Sequence, residues 1–170
     1  MLFRSGLDVA LRSPDGRRNL VLVEGLLDVV ALHHRGLPNV AALGGGGTLL
    51  TVDRWAALAE AGVREVTLAL DNDEAGRTGL RAALDNVHKV HNVPNVPVIS
   101  VVNPDDLDDC KDPDELVRRR GLDAFRALVD ARQAGAVYLG TVLLADVTPT
   151  SPDHRRREAV DERSEEHTSE

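Results

Sequence analysis

Short apolar runs alternate along this chain with longer segments whose apolar residues recur every three or four positions. The β-rich apolar runs predict four strands, at residues 19–24, 38–43, 64–70 and 96–102. Helical spacing of apolar residues predicts helices at residues 25–36, 51–63, 73–90, 114–121 and 122–135. Strands that alternate with helices are typical of a mainly parallel sheet covered on both faces. The pattern therefore predicts an α/β fold of about four mainly parallel strands with helices on both faces.

The two ends of the chain are patterned less clearly than its middle. Residues 1–17 form a lead-in segment without a clear apolar stripe, and residues 18–135 carry the predicted domain. Residues 136–162 begin apolar but weakly patterned and then become charged, so we expect a partly disordered extension there. Residues 163–170 resemble the translated read-through of a common sequencing adapter and are expected to be an artefact.

Composition narrows the class of protein. The chain has 170 residues, of which 42% are hydrophobic and 28% charged, a balance typical of one globular domain. No apolar run approaches the roughly 20 residues of a membrane helix, and the N-terminus lacks the apolar region of a signal peptide. We therefore expect a cytoplasmic protein without a membrane partner. The single cysteine, Cys110, excludes an internal disulfide and a cysteine-rich zinc site.

The net charge limits the ways in which this chain could bind nucleic acid. A formal charge of −8 argues against a broad basic surface. Aromatic residues make up 2% of the chain, which leaves few platforms for stacking bases. Carboxylates gathered around a divalent cation can still bind phosphate indirectly. We expect any bound nucleic acid to be held mainly through its phosphates.

Acidic residues stand where the predicted strands end. Glu24 closes the first strand and Asp28 follows one helical turn later, while Asp71 closes the third strand with Asp73 two residues on. The carboxyl ends of parallel strands meet at one edge of a sheet, so these acids are expected to lie together. Like charges this close raise each other's pKa unless a cation joins them. Mg²⁺ is the natural candidate, because it prefers oxygen ligands and accepts one or two carboxylates.

A third acidic motif follows the fourth strand, and capping offers an alternative explanation for all three motifs. Lys-Asp-Pro-Asp-Glu at residues 111–115 places Asp112 and Asp114 at a helix start with proline in its first turn. Asp-Asn-Asp-Glu at residues 71–74 could likewise be a helix cap, with Glu74 as a capping charge. Capping does not explain why three strand ends finish in acids on one edge, which favours a metal cluster. Arg77 is then a phosphate contact or a partner of the acids.

Other polar features are less specific. The glycine-rich run at residues 44–48 could cradle a phosphate through Gly44, Gly45 and Thr48, and a flexible connection is equally consistent with it. The arginines at residues 118–120 are typical of a solvated helix face, with phosphate contact as the alternative. His33 and the histidine after it lack metal-ligand spacing and are expected at the surface.

Taken together, three motifs resemble the Toprim domain of bacterial (DnaG-type) DNA primases, including primase-helicase and plasmid or phage relatives. They are VEGLLDVVAL, LALDNDEAGR and KDPDELVRRRGLDAF, at residues 23–32, 68–77 and 111–125. The motifs occur in the family's order, and the resemblance extends over about residues 18–132. It implies a Rossmann-like Toprim fold.

The resemblance also assigns roles to the acids. Toprim domains share a glutamate after the first strand and a D-x-D motif after the third, which fall here on Glu24, Asp71 and Asp73 as catalytic residues and metal ligands. The second acid of E-G-x-x-D and the K-D-P-D-E motif point to the primase branch and extend the ligand set: Asp28, Asp112 and Asp114. Family members bind two or more Mg²⁺ or Mn²⁺ ions. Whether Glu24 is a ligand or a general base stays open.

In this family the domain joins ribonucleoside triphosphates into RNA primers on a single-stranded DNA template during DNA replication. The resemblance thus implies a nucleotidyltransferase whose partners are template, nucleotides and, through further domains, a replicative helicase. Primases usually also carry a zinc-binding module and a basic half that grip the template. This sequence contains neither, so no zinc is expected in it, and the resemblance does not imply activity by this stretch alone.

Two other functions remain compatible with the residues. A Toprim-type nuclease uses similar acids to direct water at a phosphodiester, although the E-G-x-x-D and K-D-P-D-E motifs favour a primase. A non-catalytic replication-accessory module would keep the fold without turnover, although the intact acids argue against it. Strand cleavage without nucleotide incorporation would indicate the nuclease, and failure to bind Mg²⁺ or Mn²⁺ would indicate the accessory module.

Overall fold

The computed structural model describes residues 6–44, 50–87, 89 and 94–145. Its seven α-helices in the described residues are α1 (Leu7–Arg12), α2 (Leu26–His34), α3 (Val52–Glu60), α4 (Glu74–Val87), α5 (Pro113–Arg120), α6 (Leu122–Asp130) and α7 (Gly135–Ala145). The strands are β1 (Leu20–Val23), β2 (Val40–Ala42), β3 (Glu65–Leu68), β4 (Val98–Val101) and β5 (Gln133–Ala134), and a short 3₁₀ helix spans Pro104–Leu107.

The strands form one sheet in the order β2-β1-β3-β4-β5. Neighbouring strands from β2 to β4 are parallel, and β5 runs antiparallel to β4 at the edge. The predicted α/β fold with a mainly parallel sheet is thus confirmed. From β1 the chain moves outward to β2 and then crosses back to β3 on the other side of β1. This reversal opens a crevice at the carboxyl ends of β1 and β3, the place where such sheets bind ligands.

Helices cover both faces of the sheet, and β1 shows how the sequence divides them. Leu20 and Leu22 point into a core shared with buried residues of α1, α3, α4 and α7. Val21 and Val23 point into a second core with α2, α5 and α6. Successive side chains of a strand face opposite ways, so a strand with apolar residues at every position belongs in the middle of a three-layer fold.

The carboxyl-terminal part of the described chain differs from the sequence prediction. The helix expected at residues 122–135 ends at Asp130, and a fifth strand, β5, follows it. Beyond it, where weak structure was expected, the chain forms helix α7, whose Tyr138 is buried in the first core. Because α7 is apolar on nearly all sides, it has no stripe by which its sequence could reveal it.

The lead-in segment also contributes to the fold, since helix α1 buries Ala10 completely. The predicted boundary at residue 135 stays a prediction. The expected disorder up to residue 162 and the expected artefact after it lie outside the described residues. None of the helices in the described part of the chain combines the length and the apolar character needed to cross a bilayer.

Candidate functional site

Asp71 lies just beyond β3, at the crevice between β1 and β3. Its backbone N–H donates to Oε1 of Glu24, which follows β1, at 3.2 Å. Its own Oδ1 is buried and has no hydrogen-bond partner among the described residues. Burial, followed by the charge of Glu24 and of the other nearby carboxylates, raises the pKa of Asp71 from 3.8 to about 7. Glu24 and Asp71, which the sequence predicts to lie close together, are therefore adjacent at the crevice.

Glu24 is half-buried beside Asp71, and burial is the main cause that raises its pKa. Helix α4 approaches both residues closely at Gly76. A Cβ atom at Gly76 would lie 2.2 Å from the carbonyl oxygen of Asp71 and 2.9 Å from Oε1 of Glu24. Only glycine therefore fits here without a shift of the backbone, which explains the glycine at position 76.

Asp28 stands on the inner side of α2 and is 7% exposed. Its Oδ2 accepts a hydrogen bond from the N–H of Gly25 at 3.1 Å, and its Oδ1 accepts one from the N–H of Asp114 at 3.4 Å. Burial, followed by the charge of Asp112, raises the pKa of Asp28. This carboxylate links the start of α2 to the start of α5, in addition to its predicted role as a ligand.

Asp73 and Asp112 are both helix caps and members of the acidic cluster. Oδ1 of Asp73 accepts from the N–H of Gly76 at 2.8 Å, and Oδ1 of Asp112 accepts from the N–H of Glu115 at 2.7 Å. Both carboxylates thus cap helices with one oxygen. The charges of both also raise the pKa of Asp71, so both belong to the cluster as well.

Asp114 and Lys111 lie at the margin of this cluster. Asp114 is 3.7 Å from Nη1 of Arg35 and 3.8 Å from Nη1 of Arg118, and its charge bears on Asp28. The positive charge of Lys111 partly offsets the raised pKa of Glu24. Lys111 was not predicted as a site residue, although its place in the K-D-P-D-E motif was the signal for it.

Two predicted phosphate contacts can be followed in the described chain. The N–H of Gly44 donates to the backbone oxygen of Glu24 at 3.1 Å. Nη2 of Arg77 donates to Oδ1 of Asn72 at 2.7 Å and to Oδ1 of Asp105 at 2.5 Å. Arg77 is therefore a partner of an acid outside the predicted cluster, and its phosphate contact stays a prediction. Gly45 and Thr48 lie outside the described residues.

The arginines at residues 118–120 are exposed, as expected of a solvated helix face, and Arg119 and Arg120 also form ion pairs with Asp108 and Asp109. The expectation for His33 needs correction. Nε2 of His33 lies 2.8 Å from the carbonyl oxygen of Val40, so this histidine packs α2 against β2 instead of lying free at the surface.

The acids fit a hard cation held by few protein ligands. Among the described residues, no group of three His, Cys, Asp or Glu side chains is arranged so that it could hold a metal ion by itself. Mg²⁺ commonly takes only one or two carboxylates and completes its shell with water and substrate phosphate. The unpartnered Oδ1 of Asp71 and the raised pKa of Asp71 are features that a bound cation would relieve. The donor set therefore suits such an open site better than a closed protein cage.

Comparison with known proteins gives a family match that spans the whole crevice. Residues 21–117 match the model of a family described as Toprim-like. A DNA primase from Clostridium acetobutylicum is 33% identical to this chain over 125 residues, which are 74% of this chain and 19% of the primase. The chain thus spans about a fifth of the length of this curated relative.

Solved structures give the same result for the fold. The catalytic core of the Escherichia coli primase aligns with a TM-score of 0.72 and 30% identity, over 91% of this chain and 47% of that core. A DnaG primase catalytic domain bound to single-stranded DNA aligns with a TM-score of 0.70 and 30% identity, over 87% and 44% of the two chains. The sheet described above is therefore that of a primase Toprim domain.

Proposed function

Because this chain belongs to the Toprim-like family, we propose that it is the metal-dependent catalytic core of a DNA primase, which makes short RNA primers on single-stranded DNA during replication. The observation that carries the proposal is the buried, unpartnered Oδ1 of Asp71 at the crevice between β1 and β3. The similarity to primases over most of the chain supports the same chemistry.

In this proposal Glu24, Asp71 and Asp73 are ligands to divalent cations, Mg²⁺ or Mn²⁺, with one or two of these carboxylates on each ion. A second cation site, or its outer shell, is completed by the remaining predicted acids: Asp28, Asp112 and Asp114. When bound, such cations activate a hydroxyl nucleophile and neutralise charge on the transferred phosphate and on the leaving pyrophosphate.

The chain's own contribution is to concentrate negative charge where water is partly excluded. Strands β1 and β3 fix Glu24 and Asp71 at adjacent positions, so these two carboxylates are already together before any substrate arrives. We propose Glu24 as a ligand. Its raised pKa also suits a group that accepts a proton from the attacking hydroxyl, which is the alternative role for this residue.

The proposed substrates are ribonucleoside triphosphates, and the proposed template is single-stranded DNA. A solved relative bound to single-stranded DNA supports the template. A replicative helicase is the proposed partner, reached through parts of a longer protein. The curated relatives are bacterial DNA primases, so the proposed place of action is the cytoplasm, where the bacterial chromosome is copied.

Primer synthesis by the longer protein that carries this chain tests the proposal. Labelled ribonucleotides are supplied with single-stranded DNA and Mg²⁺, and Asp71→Asn should reduce incorporation by about 100-fold or more, since a missing electrostatic group at a reacting phosphate costs that much. Asp123→Asn is the control, because Asp123 is 97% exposed at the start of α6. Undiminished synthesis by Asp71→Asn would contradict the proposal, and metal-dependent cleavage without incorporation would identify a nuclease.

A further inference from the structure

Asn72, the middle residue of the D-x-D motif, connects the end of β3 to the loop that precedes α5. Its backbone N–H donates to the carbonyl oxygen of Lys111 at 2.7 Å. Its side-chain Nδ2 donates to the carbonyl oxygen of Asp108 at 3.1 Å and lies 3.5 Å from that of Cys110. Asn72 thus contacts three of the four residues at 108–111, which we name the 108–111 loop.

The 108–111 loop has a backbone conformation that needs support. Asp108 has φ 58° and ψ −118°, an unfavourable combination for a residue with a Cβ atom. On the outer side of the loop, Arg120 Nη2 pairs with Asp108 Oδ2 at 2.9 Å. Asn72 supplies the contact on the inner side, to the carbonyl oxygen of the same residue.

The remaining atom of the Asn72 amide is also engaged. Its Oδ1 accepts a hydrogen bond from Nη2 of Arg77 at 2.7 Å, and the same Arg77 nitrogen donates to Asp105. The amide therefore directs its acceptor toward an arginine and its donors toward carbonyl oxygens. Aspartate lacks the donors that this arrangement uses, and an apolar side chain lacks both donors and acceptor.

The loop held by Asn72 ends at an acid of the cluster. Asp112 follows Lys111 directly, and the charge of Asp112 contributes to the raised pKa of Asp71. The placement of Asp112 opposite Asp71 therefore depends on how the 108–111 loop lies against the end of β3. One residue, Asn72, joins these two parts of the site through its backbone and its side chain.

We infer that Asn72 is a positioning residue, which holds the 108–111 loop so that Asp112 lies near Asp71 at the proposed cation site. The inference rests on the proposed function, since it requires a divalent cation at these acids. Removal of a residue that orients a metal ligand without contacting the metal typically lowers metal affinity by about 10- to 100-fold. Asn72 would act on the affinity for the cation without touching it.

Calorimetric titration of the full chain with Mn²⁺ tests the inference. Asn72→Ala removes all the side-chain hydrogen bonds, and we expect a fall of about tenfold in Mn²⁺ affinity. The matched control is Asn103→Ala, which also removes an asparagine from the connection between β4 and α5. The side chain of Asn103 accepts a hydrogen bond from the N–H of Asp105 at 3.2 Å, outside the 108–111 loop, so Asn103→Ala should leave the affinity within about twofold of that of the unsubstituted chain.

Each outcome decides between the two proposals. Failure of the unsubstituted chain to bind Mn²⁺ would overturn the proposed function and this inference with it. Tight binding by both the unsubstituted chain and Asn72→Ala would overturn the positioning role alone, and so would an equal loss in Asn103→Ala. If Asn72→Ala does not fold, Asn72→Ser replaces it, because serine keeps one donor. A weaker affinity in Asn72→Ser supports the inference, and an unchanged affinity overturns it.

A kinetic measurement on the longer protein separates positioning from loss of folded protein. The Mn²⁺ concentration that gives half-maximal primer synthesis should rise about tenfold in Asn72→Ala, while the rate at saturating Mn²⁺ should stay close to that of the unsubstituted protein. A lower rate at saturating Mn²⁺ with an unchanged half-maximal concentration would indicate fewer folded molecules and would overturn the positioning role.

Discussion

The carboxyl group of Asp71 is held where its charge is unfavourable in the absence of a cation. Its Oδ1 is buried without a partner in the described part of the chain, and its pKa lies at about 7. The protonated form therefore persists to a higher pH than in an ordinary aspartate. A bound divalent cation would favour the ionised form, so metal binding, protonation and stability are coupled at this one side chain.

The first prediction concerns the pH dependence of stability in the metal-free chain. Folding raises the pKa of Asp71 from 3.8, so the folded state holds this proton more tightly than the unfolded chain does. The folded state is therefore destabilised progressively from about pH 4 to pH 7. Urea denaturation at about pH 5 and pH 8 should show a smaller loss of stability in Asp71→Asn than in the unsubstituted chain. Equal losses in the two proteins would show that Asp71 does not titrate in this way.

The second prediction concerns the close approach of α4 to the site. Gly76→Ala places a Cβ atom 2.2 Å from the carbonyl oxygen of Asp71, and should lower the free energy of unfolding by about 2 kcal/mol or more. Gly140→Ala lies in the interior of α7, where the added Cβ meets no described atom within 4 Å beyond its chain neighbours and the nearby backbone of its own helix. It should be neutral or stabilising by up to about 1 kcal/mol. Urea denaturation of both variants measures this difference. Similar changes in the free energy of unfolding at the two glycines would contradict the prediction.

At the scale of elements, the strength of a periodic pattern decided what could be predicted. The apolar runs of β1 and β3 and the helical spacing of apolar residues in α4 are clear in the sequence, and the acids that follow the strands share an edge in any parallel sheet. Strand β5 has only two residues, too few to show a period of two. Helix α7 is apolar almost all round, and the contacts of Asn72 depend on a loop distant in sequence. These features follow from tertiary contacts that no local pattern records.

An ion pair next to the two-residue strand β5 helps to hold this strand in the sheet. Nε and Nη2 of Arg132 donate to the two carboxylate oxygens of Glu65 at 2.7 and 3.0 Å, and Oγ of Ser100 donates to Glu65 at 2.8 Å. Glu65 opens β3, Ser100 lies in β4, and Arg132 directly precedes β5. This half-buried cluster therefore ties three neighbouring strands together at the edge of the sheet.

The third prediction is that Glu65 and Arg132 are energetically coupled. A double-mutant cycle with Glu65→Gln and Arg132→Gln should give a coupling of about 1 kcal/mol, more than an exposed pair gives. Asp123 and Arg126, 3.3 Å apart with the aspartate 97% exposed, provide the control cycle, for which about 0.3 kcal/mol is expected. The side-chain hydrogen bond from Arg132 lowers the pKa of Glu65 below its ordinary 4.5. The coupling should therefore weaken as pH falls below 4.5 and disappear below the lowered pKa of Glu65.

At the scale of the whole molecule, the candidate site is assembled from parts that all lie within this chain. Its acids follow β1 and β3 or precede α5, and the order of the strands brings β1 and β3 side by side. The chain spans only about a fifth of a curated primase, so the proposed binding of template and helicase is a test for the longer protein. The proposed cation binding at the crevice involves acids of this chain and can be tested on it directly.

Titration of the full chain with Mn²⁺, followed by nuclear magnetic resonance, tests the cation site most directly, because the paramagnetic ion broadens the signals of nearby amides. We predict that the amides of Gly25, Asp71 and Gly76 broaden first, and that the amide of Asp123, at the start of α6, does not. Asp71→Asn should abolish this selective broadening at the same Mn²⁺ concentration. Broadening centred elsewhere, or unchanged in Asp71→Asn, would contradict a divalent cation site at the crevice between β1 and β3.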